Sequence, residues 1–429
     1  MIDIKLIREN RELVKENIKK KFQDEKLELV DKVYDLDIKY RDAKTKSDNL
    51  LALKNKLSSE IGVLIKGGKK DEVTKIKEQI GNISKEIPEL LDTQEKLQEE
   101  IRKIMLVIPN IIDESVPIGK DDSENVEVKK YGKIIDRNYE VPYHADIINA
   151  LDGLDKESAG RTSGEGFYYL KGNIARLHSA LLSYARDFMI DKGFTYFVPP
   201  FMIRSSVVNG VMSFNEMEEM MYKIEGEDLY LIGTSEHSMM GKFIGQIIKE
   251  EEFPLTLTSY SPCFRKEGGA HGIEERGLYR VHQFEKQEMV VLCKMEDGMT
   301  WYNNLLNYSI QFFESLDIPF RVLECCSGDL ADLKVKSCDV EAWSPRQKKY
   351  FEVGSCSIMG DAQTRRLGIR YKSNEGNKFP CSLNNTVIAT PRGLIALIEN
   401  NYNEDGSVNI PKVLVPYMGG LTKIDVLKK

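Results

Sequence analysis

The stretch FRKEGGAHGIEERGLYRVHQFEKQE, residues 264–288, decides how this chain is read. It sets Arg265, Lys266, Glu267, Arg276, Arg280, His282, Lys286 and Glu288 around a glycine-rich centre. Its flanks read as strands, in which alternate side chains leave on opposite faces. On the second flank that parity puts Arg280, His282, Phe284, Lys286 and Glu288 on one face, with Val281 and Met289 on the other. On the first flank Arg265 and Glu267 share a face, roughly 6.5–7 Å apart along the backbone. The linker 268–278 carries Gly268, Gly269, Gly272 and Gly277 and reads as a long loop. Two readings are open at this point. The hairpin is a solvated polar surface, or it is a polar floor for a charged ligand. Guanidinium forks match phosphate oxygens, a carboxylate accepts from an amino group, and Phe284 offers a stacking surface.

Outward from the hairpin, LYLIGTS, PLTLTSYSPCFR and YFEVGSCS are short apolar runs of strand character. The segment 173–192 places Ile174, Leu177, Leu181, Tyr184, Ala185, Phe188 and Met189 on one helical face, ahead of the proline-bearing GFTYFVPPFMI. Long helices separate only some of the strands. The expected core is therefore α+β, an antiparallel sheet flanked by helices, and not a doubly wound parallel sheet.

The first quarter of the chain follows a different rule. Leu29, Val33, Leu36, Tyr40, Ala43, Ser47, Leu50, Lys54, Leu57, Ile61 and Leu64 alternate spacings of three and four. So do Val73, Ile76, Ile80, Ile83, Ile87, Leu90, Gln94, Leu97, Ile101, Ile104 and Ile108. Such a stripe seals one helix against another. KGGKKD, 66–71, lets the chain reverse. The expectation is an antiparallel coiled-coil arm, kinked or locally unwound at Pro88. Its tip gathers Lys54, Lys56, Lys66, Lys69, Lys70, Lys75 and Lys77 against Glu60, Asp71, Glu72 and Glu78. That pattern suits either a solvated charged surface or phosphate contact with a nucleic acid through counterion release. The expected domains are an arm over 1–112 and a core over 113–429.

Bulk properties agree with a chain that folds in water. It has 429 residues, 41% hydrophobic and 30% charged, with a net charge of −7. Nucleic-acid contact must then come from local patches. No apolar run approaches the roughly 18–20 residues that span a bilayer. The N-terminal residues mix acids and bases, unlike a secretory or transit signal, so the expected compartment is the cytoplasm. Cys263, Cys293, Cys325, Cys326, Cys338, Cys356 and Cys381 form no metal-ligand spacing and are expected to be reduced and buried.

FRKE followed by RGLYRVHQFEKQE resembles motif 2 of the class II aminoacyl-tRNA synthetases, in the form found in seryl-tRNA synthetases. Helix 173–192 and the proline-bearing strand resemble motif 1, the family's dimer element. LIGTSEHS, 231–238, resembles its serine-site segment. LNNTVIATPRGLIALIENNYNEDGSVNIPKVLVPYMGG, 383–420, resembles motif 3 and the family's ending. FYYLKG, 167–172, and FEVGSCS, 351–357, also fit, and the arm is similar to the family's tRNA-binding hairpin. The resemblance implies ATP-dependent activation of L-serine and transfer to tRNA(Ser); many family members also charge tRNA(Sec), and that step is left open for this chain. It implies catalytic roles for Arg265 and Arg392. It implies a serine pocket of Thr234, Ser235, Glu236, Arg265, Glu288 and Thr386. It implies an ATP site of Arg265, Lys266, Glu267, Arg280, Val281, Phe284, Glu352, Val353, Gly354, Ser355 and Arg392. Glu352 and Ser355 match the family's ligands for Mg²⁺, and motif 1 implies a homodimer. Four positions depart from the usual pattern: Gly233, Ser235, Gly354 and Pro391.

Overall fold

The computed structural model describes residues 1–266 and 277–426. The chain divides into two compact units, Ile2–Pro109 and Asn110–Lys429, the latter together with Met1.

The first unit is built on α1 (Leu27–Lys66) and α2 (Lys70–Met105). Forty residues at about 1.5 Å each make α1 roughly 60 Å long. The chain reverses through Gly67 and Gly68, and Gly68 takes a left-handed φ of 72° that a side chain would resist. The heptad stripes face inward: Val33, Leu36, Ala43 and Ser47 of α1 are buried, as are Val73, Ile83, Ile87, Ile101 and Ile104 of α2. At the start of α1 it is Val30, one residue on from Leu29, that is buried. The polar pair in the stripe is matched, with Gln94 Nε2 donating to Ser47 Oγ at 2.9 Å. The unwinding expected at Pro88 does not occur, and α2 runs through it unbroken. Proline removes a single N–H, and the neighbouring Ile83 and Ile87 stay buried in the seam.

The second unit holds β1 (Val126–Tyr131), α3 (Gly172–Asp191), β2 (Thr195–Phe197), α4 (Ser235–Gly241), β3 (Leu255–Phe264) and β4 (Gln283–Cys293). It continues with α5 (Gly298–Ser315), β5 (Phe320–Glu324), β6 (Lys336–Ser344), β7 (Lys349–Gly360), β8 (Cys381–Thr390) and α6 (Arg392–Asn400). These strands form one eight-stranded sheet in the order β1-β5-β6-β7-β8-β4-β3-β2. Every pairing is antiparallel except that of the edge strand β2 with β3.

Alternation along β4 organises the layers. Met289, Val291 and Cys293 enter a large apolar cluster with Leu177 and Leu181 of α3, Phe312 and Phe313 of α5, and Leu394 and Leu397 of α6. Val290 and Leu292 point the other way, against Met239 and Met240 of α4. Phe284, Lys286 and Glu288 lie on that second face, short of the apolar cluster, where the sheet opens into a cavity. All seven cysteines are buried and unpaired. Among the described residues no helix is long and apolar enough to cross a membrane.

Two strand expectations shorten. LYLIGTS contributes only Tyr230–Leu231, because α4 begins at Ser235. β4 begins at Gln283 and not at Arg280.

Candidate active site

The cavity has a volume of about 380 Å³. Its floor is set by strand register. Glu288 of β4 lies opposite Thr386 of β8, and Lys286 and Phe284 follow it at alternate positions on the same face. Two β-bulges complete the lining. In β7, Gly354 faces Val340 and Glu352 faces Glu341, so Val353 is an extra residue. Strict alternation would send Glu352 and Ser355 to opposite faces, but with the bulge both line the cavity. A second bulge at Val387 does the same for Thr386 and Ala389.

Glu288 is 2% exposed. Its Oε1 accepts from Thr234 Oγ1 at 3.1 Å and Thr386 Oγ1 at 3.4 Å, and it is ion-paired with Lys286. Its Oε2 is buried with no partner among the described residues. A buried carboxylate oxygen in that state costs free energy until a donor reaches it. Thr234 reaches Glu288 because it sits at the N-cap of α4, turned out of the helix. Beside it the half-buried Glu236 accepts from Gln363 Nε2 at 2.7 Å. Burial pushes its carboxyl up to about 7, the Gln363 bond opposes this, and the charge of Glu288 adds to it. Burial, with Arg265 and Lys286 adding, holds His237 down at about 3, a neutral ring at ordinary pH.

Arginines stand over two aromatic rings. The Arg265 guanidinium lies 5.3 Å from the Phe284 centroid, and its Nε donates to Gly233 O at 3.2 Å. Arg392 opens α6, lies 4.5 Å from the Tyr279 centroid, and pairs with Glu352 at 2.9 Å. Cation and ring together suit a flat heteroaromatic ligand bearing phosphates. Glu352 and Ser355 offer oxygen donors of the kind a hard divalent cation takes. Nearby Asp339 is pushed up to about 7, by burial and then by the charge of Glu352.

Residues 1–112 match the family described as the seryl-tRNA synthetase N-terminal domain. Residues 220–401 match the tRNA synthetase class II core domain (G, H, P, S and T). The serine–tRNA ligase of Thermococcus sibiricus is 41% identical, over 98% of this chain and 96% of that protein. The seryl-tRNA synthetase of Pyrococcus horikoshii, solved with ATP, superposes with a TM-score of 0.93 at 38% identity over all of both chains. The chain belongs to the seryl-tRNA synthetase family. A second family structure, the cytoplasmic enzyme of Naegleria fowleri with AMP, gives 0.88 at 32% identity, over 100% of this chain and 99% of that one.

Set against the residues expected of a seryl-tRNA synthetase, the cavity gathers Thr234, Glu236, Arg265, Val281, Phe284, Glu288, Glu352, Val353, Gly354, Ser355, Thr386 and Arg392. Three described residues lie elsewhere. Ser235 is turned inward, its Oγ accepting from Ser259 Oγ at 2.8 Å. Lys266 reaches outward, with Nζ donating to Glu218 O at 3.0 Å. Arg280 is exposed and outside the lining. Glu267, with His271 and Arg276, lies outside the described residues. The parity expected of 280–282 does not hold, because the strand has not begun there. Val281 lines the cavity, while His282 turns away to Tyr222 OH at 2.9 Å and Arg265 O at 3.1 Å.

The departures are accommodated. A Cβ at Gly233 would meet its neighbours at 3.7 Å and one at Gly354 at 3.4 Å, so neither glycine is forced by the backbone. Pro391 still delivers Arg392 to the first turn of α6 and to the cavity. Lys286, Asn384, Gln363 and Tyr279 received no role from sequence. Lys286 was legible by parity from Glu288. Gln363 lies 127 residues from Glu236 and left no local signal.

Proposed function

We propose that the chain condenses L-serine with ATP to seryl-adenylate and passes the seryl group to tRNA(Ser). The observation that carries this is the divided carboxylate of Glu288, one oxygen held by two threonines and the other buried and open to a donor. It lies in one cavity with Arg265, Phe284 and Arg392, in a chain of this family. The α-ammonium of serine would donate to Glu288, and its hydroxyl would find Thr234, Thr386 or Glu236. A pocket that bonds the hydroxyl rejects alanine, because buried polar groups would be left unpaired.

The serine carboxylate attacks the α-phosphorus. The bond to the bridging oxygen breaks, and pyrophosphate leaves with its electron pair. Arg265 would balance charge on the α-phosphate, and Phe284 with Arg392 would hold the adenine between ring and guanidinium. Mg²⁺, bound through Glu352 and Ser355, would neutralise phosphate charge. In the second step the terminal ribose hydroxyl of the tRNA takes the acyl group and AMP departs.

The division of labour is part of the proposal. The arm over 1–112 binds tRNA through the lysines at its tip, and 113–429 performs the chemistry. The chain acts as a cytoplasmic homodimer through the motif 1 segment. Charging radiolabelled serine onto tRNA(Ser) and tRNA(Sec) transcripts tests the reading. Label on tRNA(Ser) is expected. Its absence, with tRNA bound normally, would favour an RNA-binding relative without ligase activity.

A further inference from the structure

Two buried titratable residues outside the cavity lining have no part in the chemistry above. His144 is 3% exposed and Glu399 1%. Their partners form a closed ring of contacts. Glu399 lies in α6, seven residues after Arg392, about 10.5 Å along the same helix. Its Oε2 accepts from Ser344 Oγ at 2.5 Å, and its Oε1 lies 3.6 Å from Arg346 Nε and 3.7 Å from His144 Nδ1. His144 Nε2 accepts from the backbone N–H of Leu278 at 3.0 Å. The next residue is Tyr279, whose ring faces the Arg392 guanidinium at the start of that same helix.

The acceptor role at Nε2 fixes the tautomer. A neutral imidazole that accepts there carries its proton on Nδ1, the atom facing Glu399. The carboxylate therefore favours the one tautomer that can hold Leu278. Space is tight at the same point. A Cβ on Gly277 would come within 2.1 Å of Tyr143 Oη and 2.3 Å of His144 Nε2. The segment 277–279 is thus docked at one place, and Tyr279 is delivered at one height beneath Arg392. The start of α6 meets this segment directly, Arg392 on Tyr279, and its end meets it through His144 on Leu278.

We propose that His144 and Glu399 are positioning residues for ATP, acting through Leu278 and Tyr279 on the guanidinium of Arg392. The inference rests on the assignment of this cavity to ATP and serine. It separates from that assignment because it concerns ATP alone. Glu288, which would hold serine, accepts from Thr234 and Thr386 and pairs with Lys286, none of which belongs to this ring.

The test is serine-dependent exchange of pyrophosphate into ATP. His144→Leu is expected to raise the KM for ATP about tenfold, with the KM for serine within about twofold of wild type. His144→Gln, whose amide oxygen can accept from Leu278, is expected to stay within about threefold for both. Tyr279→Leu is expected to give the same ATP defect, and the double variant to be no worse than either single, since both act on one contact. If His144→Leu does not fold, His144→Asn, too short to reach Leu278, carries the same expectation. A purely structural role would lower the active fraction and kcat with both KM values unchanged. That result, an equal rise in both KM values, or additive losses in the double variant would overturn the inference. Absence of exchange in the wild type would instead overturn the reading of the cavity.

Discussion

Glu288 divides its carboxylate between the protein and an open position, and two expectations at the residue scale follow from such groups. Glu288→Gln keeps the threonine contacts and removes the charge. A hydrogen bond to a charged group contributes about 1.5–3 kcal/mol, so the KM for serine is expected to rise roughly 10- to 150-fold, with the KM for ATP nearly unchanged. Steady-state pyrophosphate exchange checks both values. Glu236 makes a different prediction. Its carboxyl is held up at about 7 by burial, above the ordinary value of 4.5. Between those values the folded state binds more protons than the unfolded state, so stability falls as pH rises through that window. Glu236→Gln removes the titration. Relative to wild type, the variant is expected to gain on the order of 3 kcal/mol between pH 4 and 8, most of it between pH 4.5 and 7. Denaturant melts across that range read the difference directly. The contrast between Ser235 and Thr234 belongs here too. Adjacent in sequence, one faces the core and the other the cavity, because α4 starts between them.

At the element scale, periodic segments were legible and irregular ones were not. The heptads placed the seam of α1 and α2, including the polar pair Ser47 and Gln94, because burial on a two-helix arm depends on spacing alone. Parity placed Phe284, Lys286 and Glu288 on one face of β4. It failed at Val281 and His282, where the backbone is not yet a strand. It would also have separated Glu352 from Ser355, since nothing local announces the bulge at Val353. Family resemblance supplied those two residues, and geometry supplies the reason they can act together. Pro88 taught the opposite lesson, that seam packing outweighs one missing hydrogen bond. The arm carries its own expectation. Deleting residues 25–108 should lower tRNA(Ser) charging roughly 100-fold, because the lysine-rich tip no longer reaches phosphates. Pyrophosphate exchange should stay within about threefold, because the cavity belongs wholly to the second unit. Loss of both activities together would contradict the division of labour.

At the scale of the whole molecule, the chain divides into two compact units, and the paired helices α1 and α2 fall in the first. Contacts distant in sequence were the hidden part. Gln363 on Glu236 and His144 on Leu278 join segments that no periodicity connects. The proposed homodimer predicts a particle of twice 49.0 kDa by light scattering, with monomer appearing only on dilution. A particle of 49.0 kDa at all concentrations would contradict it. The most direct measurement for the central claim is exchange of labelled pyrophosphate into ATP, run in parallel with serine, threonine, alanine and cysteine. Exchange that depends on serine, and falls to background with alanine, is the predicted result. Exchange supported by another of these amino acids and not by serine would contradict the account.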